Sequence, residues 1–365
     1  MGPDSRASVL KPVCKARRWL GAGAFVAALL CPLLSCAQAK PLAAAQEALQ
    51  TCIQGTFIQL AGENTRWDKP AWRAVFKSLQ ELQIRNLILQ WVIYDDMAFY
   101  SSHHLASAPA APLETILDLA EAAGMRVTVG LSHDSAYWSR IKNRDKQSYF
   151  ATRLRKNIAV AAELLPLVSG RKSFAGWYIS EEIDDINWQQ QEDREILFAY
   201  LKNLSDFLRS NRPDVKVGVS GFANYQTAPS AVESFWTDLL GNATGINTVY
   251  FQDGIGVAKL DLKNLGNYYQ AIRNATKATR RDFIPIIEAF EQTSGAPIFV
   301  GEFSAVPTNL PRLLRQIQIA ERYSVQRVAF GIPEYLTPSG GAAADAFFNI
   351  YLGEMQRVNA RCNAR

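Results

Sequence analysis

The chain has 365 residues, of which 48% are hydrophobic, 20% charged and 11% aromatic, with a formal net charge of +5. That composition excludes a disordered or collagen-like protein and leaves ample apolar surface for a substantial core. Basic residues including Lys11, Lys15, Arg17, Arg18 and Lys40 face the single acid Asp4 in the first forty positions, so the remainder is nearly neutral and carries no electrostatic signature of a nucleic-acid partner.

Residues 1–39 read as an export signal. The basic stretch ending at Arg18 is followed by Trp19 to Leu34, almost wholly apolar and of signal-core length, but short for a membrane span. Two processing readings compete. Leu33-Leu34-Ser35-Cys36 resembles the bacterial lipobox, which makes Cys36 a lipidated first residue, whereas Ala37-Gln38-Ala39 fits ordinary signal-peptidase cleavage. Either way the expected location is the periplasm or the outer membrane, with membrane contact only through a lipid anchor. Residues 40–51 read as a linker and residues 52–362 as the folded domain. Cys14 and Cys31 leave with the signal, and Cys52 and Cys362 lie near the two ends of the domain. In an oxidising compartment a disulfide between them is one reading and two unpaired thiols the other.

From residue 55 onward, short β-branched or aromatic runs alternate with amphipathic stretches, at a spacing of about 40 residues. The predicted strands are Gly55 to Leu60, Asn86 to Tyr94, Arg126 to Leu131, Phe174 to Ser180, Val215 to Ser220, Thr248 to Gln252, Phe283 to Ile287 and Arg327 to Ile332. Helical patterns between them include Pro70 to Leu82, Leu113 to Ala123, Arg194 to Arg209 and Asn309 to Tyr323. Runs such as Asn86-Leu87-Ile88-Leu89 are apolar on consecutive positions, which suits parallel strands covered on both faces. The fold class is therefore α/β, a single (β/α)8 barrel. A doubly wound open sheet is the alternative, but Gln59-Leu60-Ala61-Gly62-Glu63-Asn64 lacks the glycine-rich turn that usually follows its first strand.

Strand C-termini carry the chemistry of such barrels. Here they collect Gln59, Gln90, Trp91, Tyr178, Glu182, Gln252, Asp253, Glu288 and Tyr335. Amides and acids bond hydroxyls while rings stack on sugar faces, so the rim has the make-up of a carbohydrate site. Glycosidic hydrolysis needs one carboxylic acid to protonate the leaving oxygen and a second carboxylate to attack carbon or activate water. Glu182 and Glu288 are the candidate catalytic pair, on strands four and seven. Gln59, Gln90, Trp91, Tyr178, Gln252, Asp253 and Tyr335 are the candidate substrate contacts. Glu181 and Glu302 are alternative carboxylates. Strand alternation separates Glu181 from the parity of Tyr178, Ser180 and Glu182, and Glu302 replaces Glu288 if Ile298 to Phe303 is the seventh strand.

His103 and His104 lack zinc-site spacing, and His133-Asp134 reads as a hydrogen-bonding pair on the rim, so no metal and no cofactor are expected. Asn203, Asn242 and Asn274 match the glycosylation pattern, which is read as empty in a bacterial chain.

Taken in order, Gly55-Thr56-Phe57-Ile58-Gln59, Leu89-Gln90-Trp91, Gly176-Trp177-Tyr178 with Glu182-Ile183, Tyr250-Phe251-Gln252-Asp253-Gly254-Ile255-Gly256, Ile287-Glu288-Ala289-Phe290-Glu291, Arg315-Gln316 and Tyr335-Leu336-Thr337-Pro338 cover most of residues 52 to 356. This set resembles an uncharacterised bacterial family of glycosidase-like barrels, held as a domain of unknown function and related to clan A glycoside hydrolases. The resemblance implies a barrel with a sugar-binding rim, Glu182 where that clan keeps its acid/base and Glu288 where it keeps its nucleophile. The clan usually places Asn before the fourth-strand acid; here that residue is Glu181. The functional expectation is an exported, monomeric glycoside hydrolase acting on a bacterial polysaccharide. Its alternative is a non-catalytic carbohydrate-binding envelope lipoprotein accessory to polysaccharide export.

Overall fold

A computed structural model describes residues 52–295 and 303–362. The signal segment, Cys36, the linker and Glu302 lie outside the described residues. Eight parallel strands close into a barrel: β1 (Gly55–Ile58), β2 (Asn86–Leu89), β3 (Arg126–Gly130), β4 (Phe174–Ile183), β5 (Lys216–Gly221), β6 (Thr248–Gln252), β7 (Asp282–Glu288) and β8 (Val328–Phe330). Neighbours in sequence are neighbours in space, and β8 closes the ring on β1, with Gly55 opposite Val328. The open doubly wound sheet is thereby excluded. The seventh strand is Asp282–Glu288, as the Pro285-containing run predicts.

Eight helices of at least eleven residues each follow a strand: α1 (Lys69–Glu81), α2 (Pro112–Ala122), α3 (Lys146–Val168), α4 (Gln191–Asn211), α5 (Pro229–Asn242), α6 (Leu265–Ala278), α7 (Leu310–Ala320) and α8 (Ala342–Arg357). Local chemistry sets several starts. Asp68 accepts the Ala71 N–H at 2.9 Å and Asn309 accepts the Arg312 N–H at 3.0 Å, each just before a proline in the first turn, where a missing N–H is harmless. None of the described helices is long and apolar enough to cross a membrane.

Alternation along each strand sorts the side chains. Phe57, Ile88, Tyr178, Tyr250, Ile284, Ile286 and Val328 fill the barrel, while Leu87, Leu89, Trp177, Ile179, Val249, Phe251 and Ile287 join the larger core beneath the helices. The filling is aromatic in its centre: Phe57 meets Tyr178 and Tyr250 edge-on at 5.3 and 5.5 Å between centroids. A packed interior leaves only the ends of the strands open to a substrate.

The second predicted strand is too long. Pairing with β1 and β3 stops at Leu89, and Ile93–Tyr94 turns away to pair with Met97–Ala98 and Ser132–His133 in a small four-stranded sheet over the rim.

Cys52 and Cys362 form a disulfide across 310 residues of sequence, tying the start of β1 to the end of α8. Cross-linking so long a loop removes much of the freedom of the unfolded chain, so reduction or a Cys52→Ser/Cys362→Ser pair should cost about 2–5 kcal/mol. Urea denaturation of the oxidised and reduced protein measures this, and coincident curves would show the bridge to be inconsequential.

Candidate active site

Glu182 stands at the end of β4 and Glu288 at the end of β7, with β5 and β6 between them in the ring. Both keep the inward parity, Glu182 above Tyr178 and Ser180, Glu288 above Ile284 and Ile286. Glu182 is half-buried, and its Oε1 accepts two amides, Gln252 Nε2 at 2.8 Å and Gln90 Nε2 at 3.1 Å. Gln59 continues the relay by donating to Gln90 Oε1 at 2.8 Å, which fixes the Gln90 amide with its N–H groups towards Glu182. Three strand-end amides are thus spent on holding one carboxyl group, and they hold it by one oxygen. Among the described residues nothing donates to Oε2, so that atom is left to carry a proton or meet a ligand.

Glu288 is held differently. It is 2% exposed, and its Oε2 accepts the Val257 backbone N–H at 3.1 Å. The segment after β6 can pass this close because residue 256 is glycine: a Cβ there would lie 2.5 Å from Phe290 O and 2.9 Å from Glu288 Oε2. Asp253 supports the same segment from below, accepting Ile255 N–H at 3.1 Å and Glu288 N–H at 3.3 Å through Oδ1, and Gln316 Nε2 at 2.6 Å through Oδ2.

Burial is the main influence on all these acids. It raises the Glu182 pKa, against which the Lys259 ammonium and the two glutamine amides pull. It pushes Glu288 up to about 8, with the nearby Asp253 carboxylate adding to the rise and Lys259 opposing it. Asp253 itself is pushed up to about 6 by burial, and Glu334, on the short helix after β8, to about 7 for the same reason. Among the described residues, Lys259 is the side chain whose charge bears on both catalytic candidates; burial lowers its pKa while Glu182 and Glu288 raise it. Desolvation of each charged form, opposed by a cation that acts on both catalytic candidates, is the pattern of a tuned site.

These shifts have a thermodynamic consequence. Glu288, Asp253 and Glu334 bind protons more tightly folded than unfolded, so their contribution to stability is full below about pH 4 and is lost as pH rises through about 6 to 8. The melting temperature should therefore carry a component that falls from pH 5 to pH 8, and Glu288→Gln should flatten it. Thermal scans across that range check this; an unaltered slope in the variant would mean that Glu288 is not a desolvated acid.

The other candidate contacts divide by exposure. Gln59, Gln252 and Tyr335 are half-buried on the rim. Gln90, Trp91, Tyr178 and Asp253 are buried, so the last three correct the sequence reading of them as sugar contacts. Trp91 donates its indole N–H to Leu60 O at 2.9 Å and stacks on His133 at 4.5 Å. Tyr178 lies inside the barrel, its hydroxyl bonded to Ser220 Oγ at 2.5 Å. Asp253 braces Glu288 rather than facing outward. Glu181 points away from the barrel into a pair with Arg153, whose Nε and Nη2 reach Glu181 Oε1 at 2.9 and 2.6 Å, and accepts Tyr200 OH through Oε2 at 2.7 Å. It is structural and cannot serve as the acid. His133 and Asp134 do not bond to each other: the ring lies against Trp91, and the carboxylate accepts Tyr149 OH at 2.8 Å. His103 and His104 sit in the loop that Glu163 pins through the His103 N–H. No group of three or more His, Cys, Asp or Glu converges as a metal site among the described residues.

Residues 53–341 match a family model described as Domain of unknown function (DUF4434). The chain belongs to this family. A curated relative, the uncharacterized protein YbcH of Escherichia coli K12, is 28% identical over 223 residues, covering 60% of this chain and 71% of the relative. Among solved structures, a putative alpha-L-fucosidase from Bacteroides thetaiotaomicron superposes with a TM-score of 0.69 at 18% identity, over 84% of this chain and 93% of the other. A beta-galactosidase from the psychrophilic Marinomonas ef1 does so with a TM-score of 0.53 at 9% identity, over 85% and 61% of the two chains. At these identities the likeness is one of fold, and this DUF4434 barrel has a glycosidase-like fold.

One residue beside both catalytic candidates escaped the sequence reading: Lys259. It ends no predicted strand. The glycines at 254 and 256 were the available signal for Lys259, because two glycines so soon after a strand mark a backbone that must run close to something.

Proposed function

We propose that the protein is an exported glycoside hydrolase acting on a bacterial polysaccharide, with Glu182 as the proton donor to the leaving oxygen and Glu288 as nucleophile or as the base that activates water. The observation that supports it is the lopsided hold on Glu182. With Oε1 committed to two amide donors, the proton that burial favours sits on the unencumbered Oε2, ready for transfer. Glu288, one β7 residue among apolar neighbours and backbone N–H donors, supplies the second carboxyl that the reaction requires. In this reading Gln59, Gln252 and Tyr335 contact the sugar directly. The apolar run before Cys36 supports export, and the lipobox-like sequence supports anchoring as a periplasmic or outer-membrane lipoprotein.

One feature favours a second reading, a non-catalytic carbohydrate-binding lipoprotein accessory to polysaccharide export. The residue before the fourth-strand acid is Glu181, and its commitment to Arg153 leaves that position without a hydroxyl contact. A glycan array read together with product analysis separates the two. Hydrolysis products, with the anomer of the new reducing end followed by NMR, support the enzyme; tight binding without products supports the binder; neither one defeats both. Mass spectrometry of the mature N-terminus tests lipidation of Cys36.

A further inference from the structure

Beside Glu182 the rim carries a wall built from two strand-end loops and the segment after β6. The short helix Tyr137–Arg140 is tied to β4 by the Tyr137 hydroxyl, which donates to Glu182 O at 2.7 Å. The next residue, Trp138, is half-buried and leans on Phe222 with ring centroids 5.6 Å apart at 56°. The Lys259 Nζ lies 3.6 Å from the Phe222 centroid. Its backbone is held in a tight turn, with Lys259 and Leu260 N–H both donating to Gly254 O at 2.8 and 3.1 Å. Gly254 makes that turn possible, with φ +62° and a Cβ position 3.2 Å from Lys259 Cβ. A flexible side chain has thus been placed by a constrained backbone. Although Glu182, Glu288, Asp184 and Asp185 act on its charge from a distance, the Lys259 ammonium makes no ion pair and no hydrogen bond among the described residues.

We infer that Trp138, Phe222 and Lys259 form the subsite for the sugar on the leaving-group side, and that this sugar carries an anionic substituent, a carboxylate or a sulfate, received by Lys259. The inference rests on Glu182 being the proton donor, since that is what makes its side of the cleft the leaving-group side. A half-exposed indole offers an apolar face to the C–H face of a pyranose, and it is fixed relative to Glu182 through Tyr137. The ammonium has three N–H donors and no acceptor, and an anionic oxygen supplies both the hydrogen bond and the countercharge.

The test titrates oligogalacturonides, the same oligosaccharides after carboxyl reduction, and sulfated neutral oligosaccharides into wild type, Lys259→Met, Lys259→Arg and Trp138→Ala by calorimetry, with circular dichroism reporting the fold of each variant. Wild type should bind an acidic series at least tenfold more tightly than the reduced one, with the margin shrinking at high salt. Lys259→Met should erase the margin, Lys259→Arg keep it, and Trp138→Ala weaken the acidic and reduced series alike. The two acidic series tell carboxylate from sulfate. Equal binding of acidic and reduced chains by wild type, or a margin that survives Lys259→Met, overturns the inference. If reduced chains are bound and cleaved without preference, the hydrolase reading stands and only the acidic subsite falls; if no glycan of any series binds, both fall.

Discussion

Replacing Glu182 or Glu288 by glutamine is expected to lower glycoside hydrolysis by about 10²–10⁴-fold while leaving the protein folded and able to hold its glycan. The reasons differ between the two. Glutamine at 182 can keep its oxygen towards Gln90 Nε2 and Gln252 Nε2, so the relay from Gln59 survives, but the atom that replaces Oε2 has no proton of useful acidity. A substrate whose leaving group needs no protonation, such as an activated aryl glycoside, should therefore recover much of the lost rate in Glu182→Gln and none in Glu288→Gln. At 288 the change removes the second carboxylate outright. Because burial and Asp253 hold Glu288 near a pKa of about 8, activity in wild type should rise with pH as Glu288 ionises. Asp253→Asn removes a like charge, lowers the Glu288 pKa and should move that rise to lower pH. A flipped Gln316 amide can receive the new Asn N–H at the cost of the Gln316 Nε2 bond to Glu288 O at 3.2 Å, so the variant should lose some stability as well. Full activity in both glutamine variants, measured on a glycan that wild type cuts, would remove the pair from the mechanism.

The second large effect concerns stability. Arg153 and Glu181 are about 5% and 2% exposed, and their pair is completed by Ser132 O accepting from Arg153 Nη2 at 2.5 Å and by Asn157, whose Nδ2 donates to Tyr200 OH at 2.8 Å. Removing one partner leaves an uncompensated charge in the core, so Arg153→Met or Glu181→Leu should each cost about 3–5 kcal/mol in chemical denaturation. The double variant should recover much of that loss, because the remaining charge disappears with its partner. An additive double variant would show that packing, and not charge burial, sets the cost. The same experiment separates Glu181 from chemistry, since Arg153→Met damages the fold without altering any group that faces the cleft.

That contrast shows where sequence reading reaches its limit. Glu181 and Glu182 are adjacent and chemically identical, and only alternation along β4 tells them apart; parity with Tyr178 places Glu182 inward. Trp91 and Asp253 share the outward parity of Leu89 and Phe251, and their reading as sugar contacts rested on residue type alone. Parity states which face of a strand a side chain takes and nothing about depth, and beyond the last ladder pair it no longer applies. After Leu89 the chain leaves the barrel for the small sheet with Ser132–His133, which turns Trp91 under His133 instead of over the cleft. Tyr178 faces inward as its parity requires, yet sits a layer too low to meet a sugar, because Phe57 and Tyr250 fill the barrel around it.

Sequence by itself determined the eight-unit barrel and the two carboxyl-bearing strand ends, because these follow from local periodicity and residue type; it left the pairing of Cys52 with Cys362 open, and the structure closes it. Tertiary structure alone decided that Glu182 is gripped by one oxygen, that Asp253 braces Glu288 and that Lys259 stands beside Trp138 and Phe222. Those facts depend on contacts between loops from different strands, and no spacing along the chain encodes a distance between two loops until the barrel has closed and brought their ends together.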